Sequence, residues 1–186
     1  MSRALLALAV LALLGVSGCS TGRYSAEALR TPLDAPYQLG SGDRVRVIVF
    51  GQENLSNSFN VDASGNVALP LIGSVHAEGL TTAGLERVVE ARLRQGYVRD
   101  PRVAIEVEAY RPFFVLGEVN TAGQYPFING MTVQSAIAVA GGFTPRGAQD
   151  AVDLTRVVDD VPMTASVPLW FPVRPGDTIT VKERFF

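Results

Sequence analysis

The sequence predicts an α+β protein, and three observations carry that prediction. Several segments alternate apolar and polar residues with a period of two, as half-buried strands do. Two segments carry helical apolar spacing between stop and start signals. Clusters of Gly, Pro, Asn and Asp separate the strands closely enough for hairpin-type turns. Helices alternate irregularly with strands, which disfavours a doubly wound parallel sheet.

The N-terminus stands apart from this pattern. Arg3 is followed by an unbroken apolar run of eleven residues, Ala4 to Leu14, and then by the small residues Gly15, Ser17 and Gly18. That is the layout of a secretory signal peptide over residues 1–18; the run is shorter than the roughly 20 residues needed to span a bilayer. Cys19 is the only cysteine, so no intramolecular disulfide is available to an exported chain. Residues 19–36 are polar, contain Pro32 and Pro36, and read as a flexible tether.

Folded structure is expected from Tyr37. A Gly/Ser/Asp turn leads into a strand with Val45, Val47 and Val49 on one face and Arg44, Arg46 and Ile48 on the other. Ser58–Asp62 reads as a second strand, with Asn66–Ile72 continuing beyond the ASG turn as its hairpin partner. The clearest helix is TTAGLERVVEARLRQG, capped by Thr81 or Thr82 and stopped by Gly96. Leu85, Val88, Val89 and Leu93 form its apolar stripe, leaving Arg87, Glu90, Arg92 and Arg94 as a solvated face. After Asp100-Pro101, a strand places Val103, Ile105 and Val107 on its apolar side. Arg111-Pro112 marks the next boundary. Beyond it come the strand FFVLGEV, NTAGQYPF as a turn into another strand, a short helix between Thr132 and Gly141-Gly142, and the strand segments DAVDLTRV, PMTASV and DTITVKERFF. Gly42-Asp43 and Gly176-Asp177 open similar strands, an echo read first as turn chemistry.

Composition narrows the function classes. The net charge is −2, and −3 once Arg3 is removed with the signal, which argues against a nucleic-acid binder. The single histidine, His76, and the absence of a usable thiol leave no His/Cys zinc cluster or Cys-His dyad. No G-x-S-x-G elbow or Walker sequence occurs, and GSGDRV lacks the third glycine of a dinucleotide loop. Glu106 with Glu108, and Asp159 with Asp160, are the carboxylate pairs a glycan hydrolase would need. The first pair suits the polar face of a strand and the second a turn. No catalytic, cofactor-binding or metal-binding residue is therefore expected, and the chain reads as a non-enzyme.

Two resemblances refine this reading. Val16-Ser17-Gly18-Cys19 resembles the lipobox of bacterial lipoproteins, which implies cleavage between Gly18 and Cys19 and lipidation, palmitate included, on Cys19. Ser20, where Asp would retain the protein at the inner membrane, implies the outer membrane. Residues 37–110 resemble the polysaccharide biosynthesis/export domain. The shared marks are L-G-x-G-D, V-D-x-x-G-x-V-x-L-P-x-I-G, the G-L-T helix entry and D-P-x-V. Residues 111–186 look like a soluble-ligand-binding β-grasp (SLBB) domain through G-E-V, G-x-Y, T-V-x-x-A-I and A-G-G-F; Ala122-Gly123 departs from the family's usual Pro-Gly.

The resemblance implies an outer-membrane polysaccharide export lipoprotein, anchored in the outer membrane and facing the periplasm, for capsule or exopolysaccharide secretion. Its implied partners are further copies of itself in a ring, an inner-membrane polysaccharide co-polymerase, the polysaccharide, and the membrane through its lipid. DTITVKERFF is not followed by an amphipathic membrane helix, so the chain is similar to short xanthan-type exporters that draw on a separate outer-membrane β-barrel. Phe185-Phe186 resembles the end of a barrel strand, but one strand makes no barrel. Two other readings stay open: a monomeric glycan-binding periplasmic adaptor, and a periplasmic glycan hydrolase. Arg44, Arg46 and the helix arginines could face an anionic polymer or simply solvent.

Overall fold

The computed structural model describes residues 25–29, 35–158 and 161–184. The signal segment with Gly18 and Cys19, the Asp159–Asp160 pair, and Phe185–Phe186 lie outside the described residues.

The first half contains β1 (Arg44–Val49), β2 (Asn57–Asn60), β3 (Asn66–Leu69), β4 (Gly73–His76), α1 (Thr82–Leu93) and β5 (Val103–Ala109). An antiparallel sheet has the order β2-β1-β5. Val45, Val47 and Val49 enter its core while Arg44 and Arg46 stay exposed, as the period of two requires. Helix α1 begins where Thr81 Oγ1 accepts the Gly84 N–H at 3.1 Å. The chain leaves it through Gly96, whose φ of 106° needs glycine. Leu85, Val89 and Leu93 are buried, and the helix packs against β5.

Two expectations for this half change. Asn66–Ile72 does not pair with the strand before it. β2 joins β1, whereas β3 pairs with β4 in a separate two-stranded sheet, closed through Pro70–Ile72. The helix face is not merely solvated either. Glu86 Oε1 accepts the Ile105 N–H at 2.8 Å and Glu90 Oε1 accepts the Val103 N–H at 2.9 Å. These carboxylates take the outward N–H groups of β5, an edge that would otherwise offer them to another strand. Arg92 donates to the Ser74 carbonyl.

The second half contains β6 (Phe113–Gly117), β7 (Gly123–Tyr125), α2 (Val133–Val139), β8 (Ala151–Val158), β9 (Val161–Pro168) and β10 (Thr178–Val181). Its sheet has the order β7-β6-β10-β8-β9, with β10 parallel to β6 and the other pairs antiparallel. Thr132 and Ser135 form a capping box at the start of α2. Val133, Ala136 and Ile137 of that helix share a core with Phe113, Leu154 and Ile179 of the sheet. The result is the α+β class the sequence predicts.

Part of the stretch expected to be a tether is packed. Ala26–Leu29 forms a 3-10 turn, and Leu29, only 1% exposed, enters the second core. In a polar segment Leu29 has no periodicity to announce its burial.

Candidate functional site

The two Gly-Asp turns prove to be one device used twice. In each, the aspartate N–H donates to the carbonyl three residues earlier, Gly40 or Arg174, at 3.1 Å. The carboxylate in turn accepts the N–H of that same residue, at 2.8 Å from Gly40 and 2.7 Å from Arg174. Gly42 and Gly176, with φ of 91° and 87°, make the left-handed step that a side chain would strain. Asp43 and Asp177 are essentially inaccessible, so each needs a positive partner.

For Asp43 that partner comes from the start of the second half. Asp43 Oδ1 accepts the Arg111 backbone N–H at 2.7 Å, and Oδ2 accepts Arg111 Nη1 at 3.2 Å and the Tyr37 hydroxyl at 2.6 Å. Burial, then the hydrogen bond to Asp43, pushes the Tyr37 hydroxyl far above its ordinary pKa, so it stays a donor. The Arg111 side chain lies along both turns. A Cβ added at Gly40 would fall 2.1 Å from its Nη1, and one at Gly176 would fall 3.0 Å from its Nε. Aromatic rings continue the join: Tyr37 meets Tyr110 edge-on at 4.9 Å, and Tyr110 meets Phe127 edge-on at 5.5 Å.

Asp177 takes a bidentate guanidinium, with Arg156 Nε at 2.9 Å and Nη2 at 2.6 Å. Arg156 Nη1 also donates to the Leu29 carbonyl at 2.6 Å and Nη2 to the Pro172 carbonyl at 3.1 Å. The same guanidinium thus neutralises the turn and holds the N-terminal segment. Burial pushes the Asp177 carboxyl up, and Arg156 opposes that shift.

The chemical candidates among the described residues, His76, Glu106 and Glu108, sit in separate surroundings. His76 is exposed, its Nδ1 3.3 Å from Asn66 Oδ1. Glu108 pairs with Arg44 at 2.7 Å. Glu106 instead lines a cavity of about 350 Å3 with Tyr37, Thr81, Thr82 and Tyr110. Among the described residues no group of three or more His, Cys, Asp or Glu could hold a metal. No described helix is long and apolar enough to cross a membrane. The Asp43 carboxylate already accepts four hydrogen bonds from within the protein. The arrangement ties the two halves together through Arg111 and the Tyr37, Tyr110 and Phe127 rings.

Sequence reasoning missed Arg111 and Arg156. Their signal was indirect: two buried turn aspartates demand two inward cations, but spacing does not say which of the arginines supply them.

Comparison with known proteins places this architecture. Residues 31–108 match the family described as polysaccharide biosynthesis/export protein, and residues 112–165 match the SLBB domain. The exopolysaccharide production protein ExoF of Rhizobium meliloti is 31% identical over 147 residues, covering 73% of this chain and 32% of that protein. The polysialic acid transport protein KpsD of Escherichia coli is 26% identical over 111 residues, covering 59% of this chain and 20% of that protein. The chain thus spans a third or less of the length of these curated relatives. With both matches in the same order along one α+β chain, the protein belongs to the polysaccharide export family, its export domain followed by an SLBB domain.

Proposed function

We propose that this protein is a non-enzymatic periplasmic component of a machine that exports exopolysaccharide or capsule. The observation that carries the reading is the export domain followed by an SLBB domain, the two joined by the saturated Asp43–Arg111 contact. A two-part subunit joined in this way suits repeated head-to-tail packing, which closes into a ring when its rotation permits. Such a ring guides the glycan from an inner-membrane co-polymerase towards the outer membrane. The names of ExoF and KpsD, which concern exopolysaccharide production and polysialic acid transport, support export over hydrolysis. In this reading the signal peptide is residues 1–18, the export unit 37–110 and the β-grasp unit 111–186.

Deletion of the protein followed by localisation of glycan tests the export role. Polymer is expected to accumulate in the periplasm; normal delivery to the cell surface would overturn the proposal.

The attachment proposed is a lipid on Cys19 after cleavage behind Gly18, at the outer membrane and facing the periplasm. One acyl chain binds a bilayer only marginally, so stable anchoring takes the several chains of a lipoprotein modification. Cys19→Ser is expected to leave the protein in the soluble periplasmic or uncleaved precursor fraction on cell fractionation. A Cys19→Ser protein still processed and outer-membrane bound would contradict the anchor.

A further inference from the structure

β1 runs on past its partner. Its pairing with β2 ends at Val47 and Asn57, and the Val49 N–H turns instead to Ser56 Oγ at 2.9 Å. The connecting chain, through the 3-10 turn Glu53–Leu55, bows away and leaves a cleft of about 390 Å3. Arg46, Phe50, Glu53, Asn57 and Ser58 line it. Phe50 is 62% exposed, an aromatic ring held open to solvent beside charged and hydrogen-bonding side chains. Arg44, two positions before Arg46, is ion-paired with Glu108. Arg46 itself forms no ion pair or hydrogen bond through its side chain among the described residues, although Glu106 is its register partner on β5.

We propose that this cleft binds a saccharide unit bearing a carboxylate. A sugar ring is amphipathic, with an apolar C–H face and a rim of hydroxyls, and the cleft offers a surface for each. The C–H face packs on Phe50. The hydroxyls meet Glu53, Asn57 and Ser58, the few polar groups that fix orientation in a small site. The carboxylate takes the open guanidinium fork of Arg46, a planar pairing that a neutral sugar cannot make. The assignment rests on the export reading only for the idea that the ligand is a glycan.

Titration of the full chain, purified in detergent, with tetragalacturonic acid tests the site by calorimetry, with maltotetraose as the neutral control. Saturable binding of the acidic oligosaccharide is expected, with the neutral one weaker. Phe50→Ala should weaken binding roughly tenfold. Arg46→Gln should abolish the preference for the acidic oligosaccharide. Both side chains are exposed, and circular dichroism checks that the variants fold. Absence of saturable binding, or binding unchanged in both variants, would overturn the cleft. Either result leaves the export role to the deletion experiment, which reads glycan position and not affinity.

Discussion

Replacing Arg156 by Met is expected to destabilise the SLBB half by about 3–5 kcal/mol, the usual effect of removing one member of a buried ion pair. Asp177, 1% exposed, would be left buried without the guanidinium that pairs with it. The carbonyls of Leu29 and Pro172 would lose their donor in the same step. Urea denaturation of the full chain gives the measurement. A double variant, Arg156→Met with Asp177→Asn, separates charge from packing. Asn still accepts the Arg174 N–H through its carbonyl oxygen, and no charge is left stranded, so the double variant should be more stable than Arg156→Met alone. A single Arg156→Met variant that unfolds at the parent's midpoint would show that the pair does not pin this half.

Asp43→Ala is expected to produce the second large effect, about 3 kcal/mol, with a different signature. Four hydrogen bonds lose their acceptor: the Gly40 and Arg111 N–H groups, the Tyr37 hydroxyl and Arg111 Nη1. Two of the four come from Arg111, the residue that carries the join into the second half. The export half should therefore weaken and also separate thermally from the SLBB half. Calorimetry would show one coupled transition in the parent and two in the variant. Cleavage by a nonspecific protease near 110–112 should also accelerate, because that segment loses its tie to the turn. One transition at an unchanged temperature would mean that the aromatic contacts of Tyr110 hold the halves without Asp43.

The elements differ in how legible they were, and the difference has a physical basis. β1 and α1 were legible because each buries one face at a fixed period, two in the strand and 3.6 in the helix. The start and stop of α1 were legible too, since a capping threonine and a left-handed glycine act on neighbouring backbone. The strand order around the ASG turn was not. That turn suits a hairpin locally, yet β2 has a better partner in β1 and β3 in β4. Glu90 looked like an ordinary surface charge, and Glu86 carried no signal, because the N–H groups they accept from lie in a strand more than a dozen residues on.

The candidate site divides in the same way. The sequence by itself determined the α+β class, the strand β1, the start and stop of α1, the two Gly-Asp turns, and the ordered motifs of the export and SLBB domains. All of these depend on short-range dihedral preferences or on patterns read along the chain. Only the tertiary structure decided that Arg111 answers Asp43, that Arg156 answers Asp177, and that Leu29 completes the second core. The Arg111–Asp43 contact spans 68 positions and the Arg156–Leu29 contact 127, so neither leaves a local pattern. Burial of a carboxylate dictates that some cation must come to it; chain topology alone selects which one arrives.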